Sequence, residues 1–522
     1  MRLSLLLACG SLTLLACEPS GPIVDGGALD APRSDGSVRD GSVEGDAAAP
    51  RCGDTMCGGG EDCGSCPGDC GACGPTVCGD GVCSTGETCD GCTSDCGLCP
   101  IDSGARRVCI GDGSGNLSYP DATTALALVP GDVLCIRAGV YDGMDLGNLH
   151  GTAAAGITVV NEGSVEFTGN VHFHDLSHVT IRGDGTDGVA FGFHLRDNPF
   201  RGMLIDGAIQ HVTWSFFEFT DIADYAIYVY SPGLVWDGTD GTALTGLRFF
   251  DFRARRTALG VFQIGSYRTW AEQVSIVNGL EIARADIDDV QGSCTIINAS
   301  LSMNADIHHN TITHTGGTDM RHCGVIFLQG NGRIHHNILQ DFWGNGARTS
   351  CIGIPGHDTI DFYDNLVVGS RKYSGFEAQC YAADLTTAPA TTCHFRVYNN
   401  TFGDLTALDY TAAMVDGYDL QGGTLDVRNN LGFNIARDQP FDPARDYAIH
   451  FVGVDRAAVT ESANLHARTF EEVGLIDGVA CELRADSPAI DAGETIDLVT
   501  NDLSGIARPQ GAAFDLGARE RR

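Results

Sequence analysis

A phrase ending in asparagine recurs five times between residues 305 and 430. It reads Ala305-Asp306-Ile307-His308-His309-Asn310, Gly332-Arg333-Ile334-His335-His336-Asn337, Asp361-Phe362-Tyr363-Asp364-Asn365, Arg396-Val397-Tyr398-Asn399-Asn400 and Asp426-Val427-Arg428-Asn429-Asn430. The closing asparagines step by 27, 28, 35 and 30 residues. A strand-length phrase repeated at such a period, with insertions between copies, cannot bury its apolar side alone and must stack on the next copy. The repeat therefore predicts an all-β solenoid.

Upstream, the strand phrases His178–Gly183, Val212–Phe219, Leu247–Phe252 and Leu280–Ile287 alternate apolar and polar residues between Gly/Asp turns, as strands with one buried face do. After residue 130 no long amphipathic helix follows, which argues against an α/β barrel or a dinucleotide-binding layout. Cys294, Cys323, Cys351 and Cys380 step by 29, 28 and 29, in phase with the asparagines. Stacked strands lie about 4.8 Å apart, and disulfides span Cα separations of roughly 4.4–6.8 Å. These cysteines are thus placed to bond rung to rung, and Cys109 with Cys135 near the start of the solenoid forms another candidate pair.

The first 17 residues are a charged tip and a short apolar run, an export signal too short to span a membrane. Residues 18–50, rich in Asp, Gly, Ser and Pro with almost no large apolar side chain, read as a disordered acidic tether. Residues 51–100 hold a second, stricter repeat. Cys52, Cys57, Cys63, Cys66, Cys70 and Cys73 return as Cys78, Cys83, Cys89, Cys92, Cys96 and Cys99, each shifted by 26. Asp54/Asp80, Glu61/Glu87 and Asp69/Asp95 keep the same register. So many cysteines in so short a segment imply covalent staples in place of a core. Paired Cys-x-x-Cys spacing admits zinc as well as disulfides, and export favours disulfides. The six acidic residues are either a small calcium site in each copy or groups that keep a Gly-rich loop soluble.

Three resemblances add to this reading. Leu14-Leu15-Ala16-Cys17 resembles the lipobox of bacterial lipoproteins, which implies lipidation of Cys17, a membrane anchor, and display at the outer membrane or cell surface. The Cys-rich repeats resemble small modules that act as stalks in bacterial surface proteins. Thr123–Val129, then Pro130-Gly131-Asp132, then Val133–Tyr141 resembles the entry of pectin-lyase-like right-handed parallel β-helices, a helical cap feeding a first strand. That resemblance implies such a β-helix over 108–480. The tail 481–522, with Asp486-Ser487-Pro488-Ala489-Ile490-Asp491-Ala492-Gly493, then Asp502, Gly505, Arg508-Pro509, Gly511, Asp515-Leu516-Gly517-Ala518 and Glu520, resembles the closing segment of bacterial surface β-helix proteins and is expected to cap the last coil.

Such folds are shared by lyases, hydrolases and non-catalytic adhesins, so the site must carry the function. The formal net charge of −36 excludes nucleic acid as a partner and disfavours anionic surfaces. An acidic polysaccharide would need a local Arg patch or bridging calcium. Three constellations are candidates for catalysis or metal binding. Asp286, Asp288 and Asp289, with Asp306 one coil on, suit calcium or acid/base work. His308, His309, His314, His322, His335 and His336 recur in neighbouring coils and suit a metal, a base, or a stack within the solenoid. Arg371 and Lys372, the latter the chain's one lysine, stand near His357 and Tyr373 and suit a lyase base. Asp288-Asp289, Gly356-His357 and Arg371-Lys372 follow the order of polygalacturonase motifs, but the first motif of that family is absent and no residue separates Arg371 from Lys372. Two functions follow as alternatives: a surface protein that binds, and as a lyase or hydrolase cleaves, extracellular polysaccharide, or a structural or adhesive solenoid on a Cys-rich stalk.

Overall fold

The computed structural model describes residues 83, 87, 89 and 92–521, apart from 266–273, 318–321, 353, 355, 380–391, 409–411, 421 and 443. The export segment with Cys17, the tether, the first Cys-rich repeat with Asp54, Glu61 and Asp69, and Asp80 lie outside the described residues.

Among the described residues, thirty-two strands join in parallel into one continuous sheet that winds as a parallel β-helix. From residue 338 on each coil contributes three separate strands, in three stacks, while upstream a single strand such as Gly324–His335 runs through two of those stacks. Sheet A contains Thr359–Tyr363, His394–Tyr398, Thr424–Arg428 and Val459–Ser462, each in register with the next. Sheet B contains Leu366–Ser370, Thr401–Leu405, Leu431–Ile435 and Leu465–Ala467. Sheet C contains Asn345–Ser350, Phe376–Gln379, Val415–Tyr418 and Ile449–Val452. Alternation turns every second side chain inward. Ile307, Ile334, Phe362, Val397 and Val427 thus form one fully buried column, each worth roughly 1.5–3 kcal/mol of burial.

The recurring asparagines are the corner between sheets A and B. Asn310, Asn337, Asn365, Asn400, Asn430 and Asn464 stack so that each side-chain amide donates to the next asparagine's Oδ1 at 2.9–3.0 Å. From Asn337 onward each amide also donates to a carbonyl of the preceding rung, at 2.8–2.9 Å. The preceding residue takes a positive φ at His309, His336, Asp364, Asn399 and Asn429, a conformation Asn and Asp tolerate well. Three of the four upstream strand phrases reach the same corner. Phe216, Asp251 and Arg284 have positive φ, and each divides what reads in sequence as one strand into a sheet A and a sheet B strand.

The entry differs from expectation in two respects. Val133–Tyr141 is a strand as predicted, but the helix before it is a single turn, Ala122–Ala125, and a first coil with strands Arg107–Ile110 and Asn116–Tyr119 precedes it. Cys109 and Cys135 are in register and disulfide-bonded. Cys294 is bonded to Cys323 one coil on. Cys351 breaks the expected rule: its partner is Cys393, 42 residues away, which leads directly into strand His394–Tyr398. The fourth in-phase cysteine, Cys380, lies outside the described residues. In the second Cys-rich repeat, Cys83 pairs with Cys96 and Cys89 with Cys99.

The closing segment runs as a strap along the flank. Val473, Leu475, Leu483, Leu503 and Leu516 pack with Leu366, Val368, Leu431 and Phe433 from sheet B. Ile496, Val499 and Phe514 pack on Tyr363 and Tyr398 of sheet A. Arg508 fixes the strap: fully buried, it donates to Asp364 and to Glu520, each at 2.7 Å. The physical reason is that the outward side chains of sheet B turn apolar in these coils and need a cover.

Candidate functional site

The three constellations expected from sequence fall on different faces. Asp286 and Asp288 project from sheet B, where the inward residue between them is Ile287, fully buried. Asp286 accepts from Arg255 Nη2 at 2.5 Å. Asp288 accepts from Thr313 at 2.7 Å and lies 2.6 Å from His314 Nδ1. Burial pushes the Asp288 carboxyl up, and its bonds to His314 and Thr313 outweigh this, leaving it below the ordinary carboxylate range. Asp289 is exposed with a positive φ. Asp306 belongs to sheet A and does not join them; it pairs with Arg333 and His335.

The histidines at the A–B corner stack. His308 on His335 and His309 on His336 have ring centroids 4.9 and 4.8 Å apart, and Tyr363 continues the first stack at 4.8 Å. Burial first, then neighbouring histidine charge, pushes His309 down to about 2 and His335 and His336 well below the usual range. Burial thus disfavours the charged form of His309, His335 and His336, which stack as structural rings.

Arg371 and Lys372 do not present a solvated base. Arg371 donates to the carbonyls of Thr315 and Phe342. Lys372 is buried, its ammonium 4.4 Å from the Tyr373 ring centroid. His357 sits in a C-to-A turn, 3.2 Å from Asn331, so the polygalacturonase-like triplet is dispersed. Trp214 is a core residue stacked on Phe249 at 4.9 Å, and Trp270 lies outside the described residues.

The outer row of sheet A neutralises itself. Arg248, Glu281, Asp306, Arg333, Asp361, Arg396 and Asp426 occupy successive rungs, and Arg396 pairs with Asp361 at 2.5 Å.

Sheet C gathers a different set. Phe327, Arg348, Glu377, Asp416 and His450 stand in register on successive rungs, facing out. Glu377 accepts from Arg348 Nε at 3.1 Å and from Asn345, and lies 2.5 Å from His322 Nε2. Asp416 accepts from Ser374 and lies 2.9 Å from His450 Nδ1. The carboxylates are almost wholly buried, whereas His322 and His450 are each 32% exposed. Burial raises the Asp416 carboxyl, against the bonds from His450 and Ser374, and the charge of Glu377 adds to the rise. The arrangement is two imidazoles at the surface, each held by a carboxylate beneath it. A carboxylate in that position orients the ring and supports its positive form, which fits an imidazole for proton transfer.

Sequence reasoning nominated His322 and passed over Glu377, Asp416, Arg348 and His450. The signal was the position shared across coils, which becomes readable once register is known. In the second Cys-rich repeat, Glu87 and Asp95 lie close together beside Cys92, but Cys92 is disulfide-bonded and offers no thiolate.

No family model matches the chain, and no curated protein matches it in sequence. Among solved structures the chain is similar to a pectate lyase, at 11% identity over 81% of this chain and 98% of that one, with a TM-score of 0.36. It is also similar to an alginate lyase from Paenibacillus sp., at 14% identity over 66% of this chain and 99% of that one, with a TM-score of 0.37. A PL6 family polysaccharide lyase from Pseudopedobacter saltans is 11% identical over 79% of this chain and 100% of that one, with a TM-score of 0.37. Each is similarity of fold.

Proposed function

We propose that this chain is a surface-anchored β-helix that binds an extracellular polysaccharide along sheet C and cleaves it by general acid–base chemistry at His322, Glu377, Asp416 and His450. The observation that carries the reading is that two part-exposed histidines, His322 and His450, are backed by carboxylates, Glu377 and Asp416, that stand on neighbouring rungs of one face. On a uronic-acid polymer, one imidazole takes the proton α to the carboxyl, the electron pair forms the ring double bond, and the departing glycosidic oxygen receives a proton from the other. Arg348, on the same row, donates to Glu377 at 3.1 Å and so fixes the carboxylate beneath His322. Hydrolysis is the second reading. Residues in register on adjacent rungs are about 4.8 Å apart, close to the roughly 5–5.5 Å between carboxyls of retaining glycosidases, and the raised Asp416 beside Glu377 suits an acid.

In this proposal Cys17 carries the lipid, residues 18–50 are the tether, and the Cys-rich repeats are the stalk. Calcium, if used, bridges the substrate carboxylates to the acidic surface.

Incubating the purified chain with pectate, alginate, chondroitin and neutral glycans, with calcium or a chelator, tests the reading. Unsaturated ends on a uronate polymer, reduced about 10²–10⁴-fold by His322→Gln, are the expected result. Reducing ends without unsaturation would replace elimination by hydrolysis. No product on any polymer would overturn the catalytic reading in favour of an adhesive solenoid.

A further inference from the structure

A second cluster on sheet C lies seven rungs from Glu377, along the row His172, Leu204, Tyr228, Gln263, Asn298, Phe327, Arg348, Glu377. Asp145 belongs to strand Gly143–His150, and His172 and His174 are alternate residues of Val171–Arg182 on the next coil, so both rings face outward. Asp145 Oδ1 is 3.2 Å from His172 Nδ1 and 3.2 Å from His174 Nε2. That oxygen is buried, yet neither ring nitrogen meets it at a hydrogen-bonding angle.

The outer nitrogens are already engaged. His172 Nε2 lies 3.0 Å from Asp206 Oδ1, and His174 Nδ1 lies 3.2 Å from Asp175 Oδ2. When those nitrogens carry the protons and donate them to the carboxylates, two imidazole lone pairs and a carboxylate oxygen converge on one point. Such a convergence is repulsive unless a cation occupies it. A tetrahedral zinc ion with ligands at 2.0–2.1 Å separates its ligand atoms by about 3.3 Å, close to the observed spacing. A carboxylate behind each ligating imidazole is also what fixes the tautomer in zinc sites. Gly147, in register with His174, leaves room for the ring: a Cβ there would come within 2.0 Å of it.

We infer that Asp145, His172 and His174 bind a borderline divalent transition metal of the zinc class, with Asp206 and Asp175 as positioning residues. The three ligands leave the fourth position open to solvent, since the side chains of Asp145, His172 and His174 are 34%, 30% and 16% exposed. The site joins two adjacent coils.

The test is a cobalt(II) titration of the full, disulfide-intact chain, followed by its visible ligand-field absorption and by displacement with zinc. The expected result is absorption that saturates at one equivalent, is abolished in His172→Gln/His174→Gln, and persists in His178→Gln, which alters the separate His178–His211 stack. Asp206→Asn should weaken binding roughly 10–100-fold without removing a ligand. Zinc should also raise the melting temperature of the wild type and leave that of the double variant unchanged, a comparison that holds even if the apo variant melts lower. Absence of a tetrahedral cobalt spectrum, or an unchanged spectrum in the double variant, would overturn the assignment.

Discussion

The A–B corner and sheet C are built from the same coils and behave as opposites. From strand Ile297–His308 to strand Leu465–Ala467, every step from sheet A to sheet B takes two residues, the second an asparagine. The connections around sheet C vary: strands end at 350, 379, 418 and 452 and sheet A resumes at 359, 394, 424 and 459. An amide ladder bonded at every rung cannot admit an insertion without leaving buried donors and acceptors unpaired. Insertions therefore collect beside sheet C, and so do the buried carboxylates and half-exposed histidines. The corner holds the coil together, and the face opposite it is free to change its chemistry.

Breaking the strap over the corner should have the largest effect. Arg508→Ala leaves Asp364 and Glu520 buried without their cation and should cost about 3–5 kcal/mol in urea unfolding. A loss well under 1 kcal/mol would mean the strap adds little to the corner. Asn365→Ala comes next. It removes amide bonds to Ile334, Tyr363 and Asn400 and the acceptor for Asn337, and should cost about 2–3 kcal/mol.

The smallest effect is on acid stability. His336 is neutral in the folded chain, its pKa far below the usual value because of burial. As pH falls below about 6.5 the unfolded chain binds a proton that the folded chain does not, so stability falls with it. His336→Asn, which places there the residue found at 399 and 429, should flatten the dependence by about 1.4 kcal/mol per pH unit between pH 6 and 5. An unchanged slope would show that His336 is protonated in the fold.

The corner was legible in the sequence because its chemistry is local: Asn with a preceding αL residue must recur at each coil. The sheets' alternation was legible for the same reason, while its break at Phe216 and Arg284 was not, because positive φ at such residues leaves no compositional mark. Asn464 was missed since the phrase before it, Glu461-Ser462-Ala463, has lost the apolar pattern. Sheet C's cluster was hidden for a different reason. His322, Arg348, Glu377, Asp416 and His450 meet only through register across loops of unequal length, which no fixed spacing encodes. Cys393 was overlooked likewise, being out of phase with Cys294, Cys323 and Cys351.

The most direct test of sheet C as the working face is the turnover of two variants on the polymer that wild type cleaves fastest. Glu377→Gln alters the carboxylate beneath His322, and Asp288→Asn alters the acidic group on sheet B. The account predicts a kcat/KM lowered about 10²-fold or more for Glu377→Gln and within about twofold of wild type for Asp288→Asn. A wild-type rate in Glu377→Gln together with a collapse in Asp288→Asn would contradict it and move the site to sheet B.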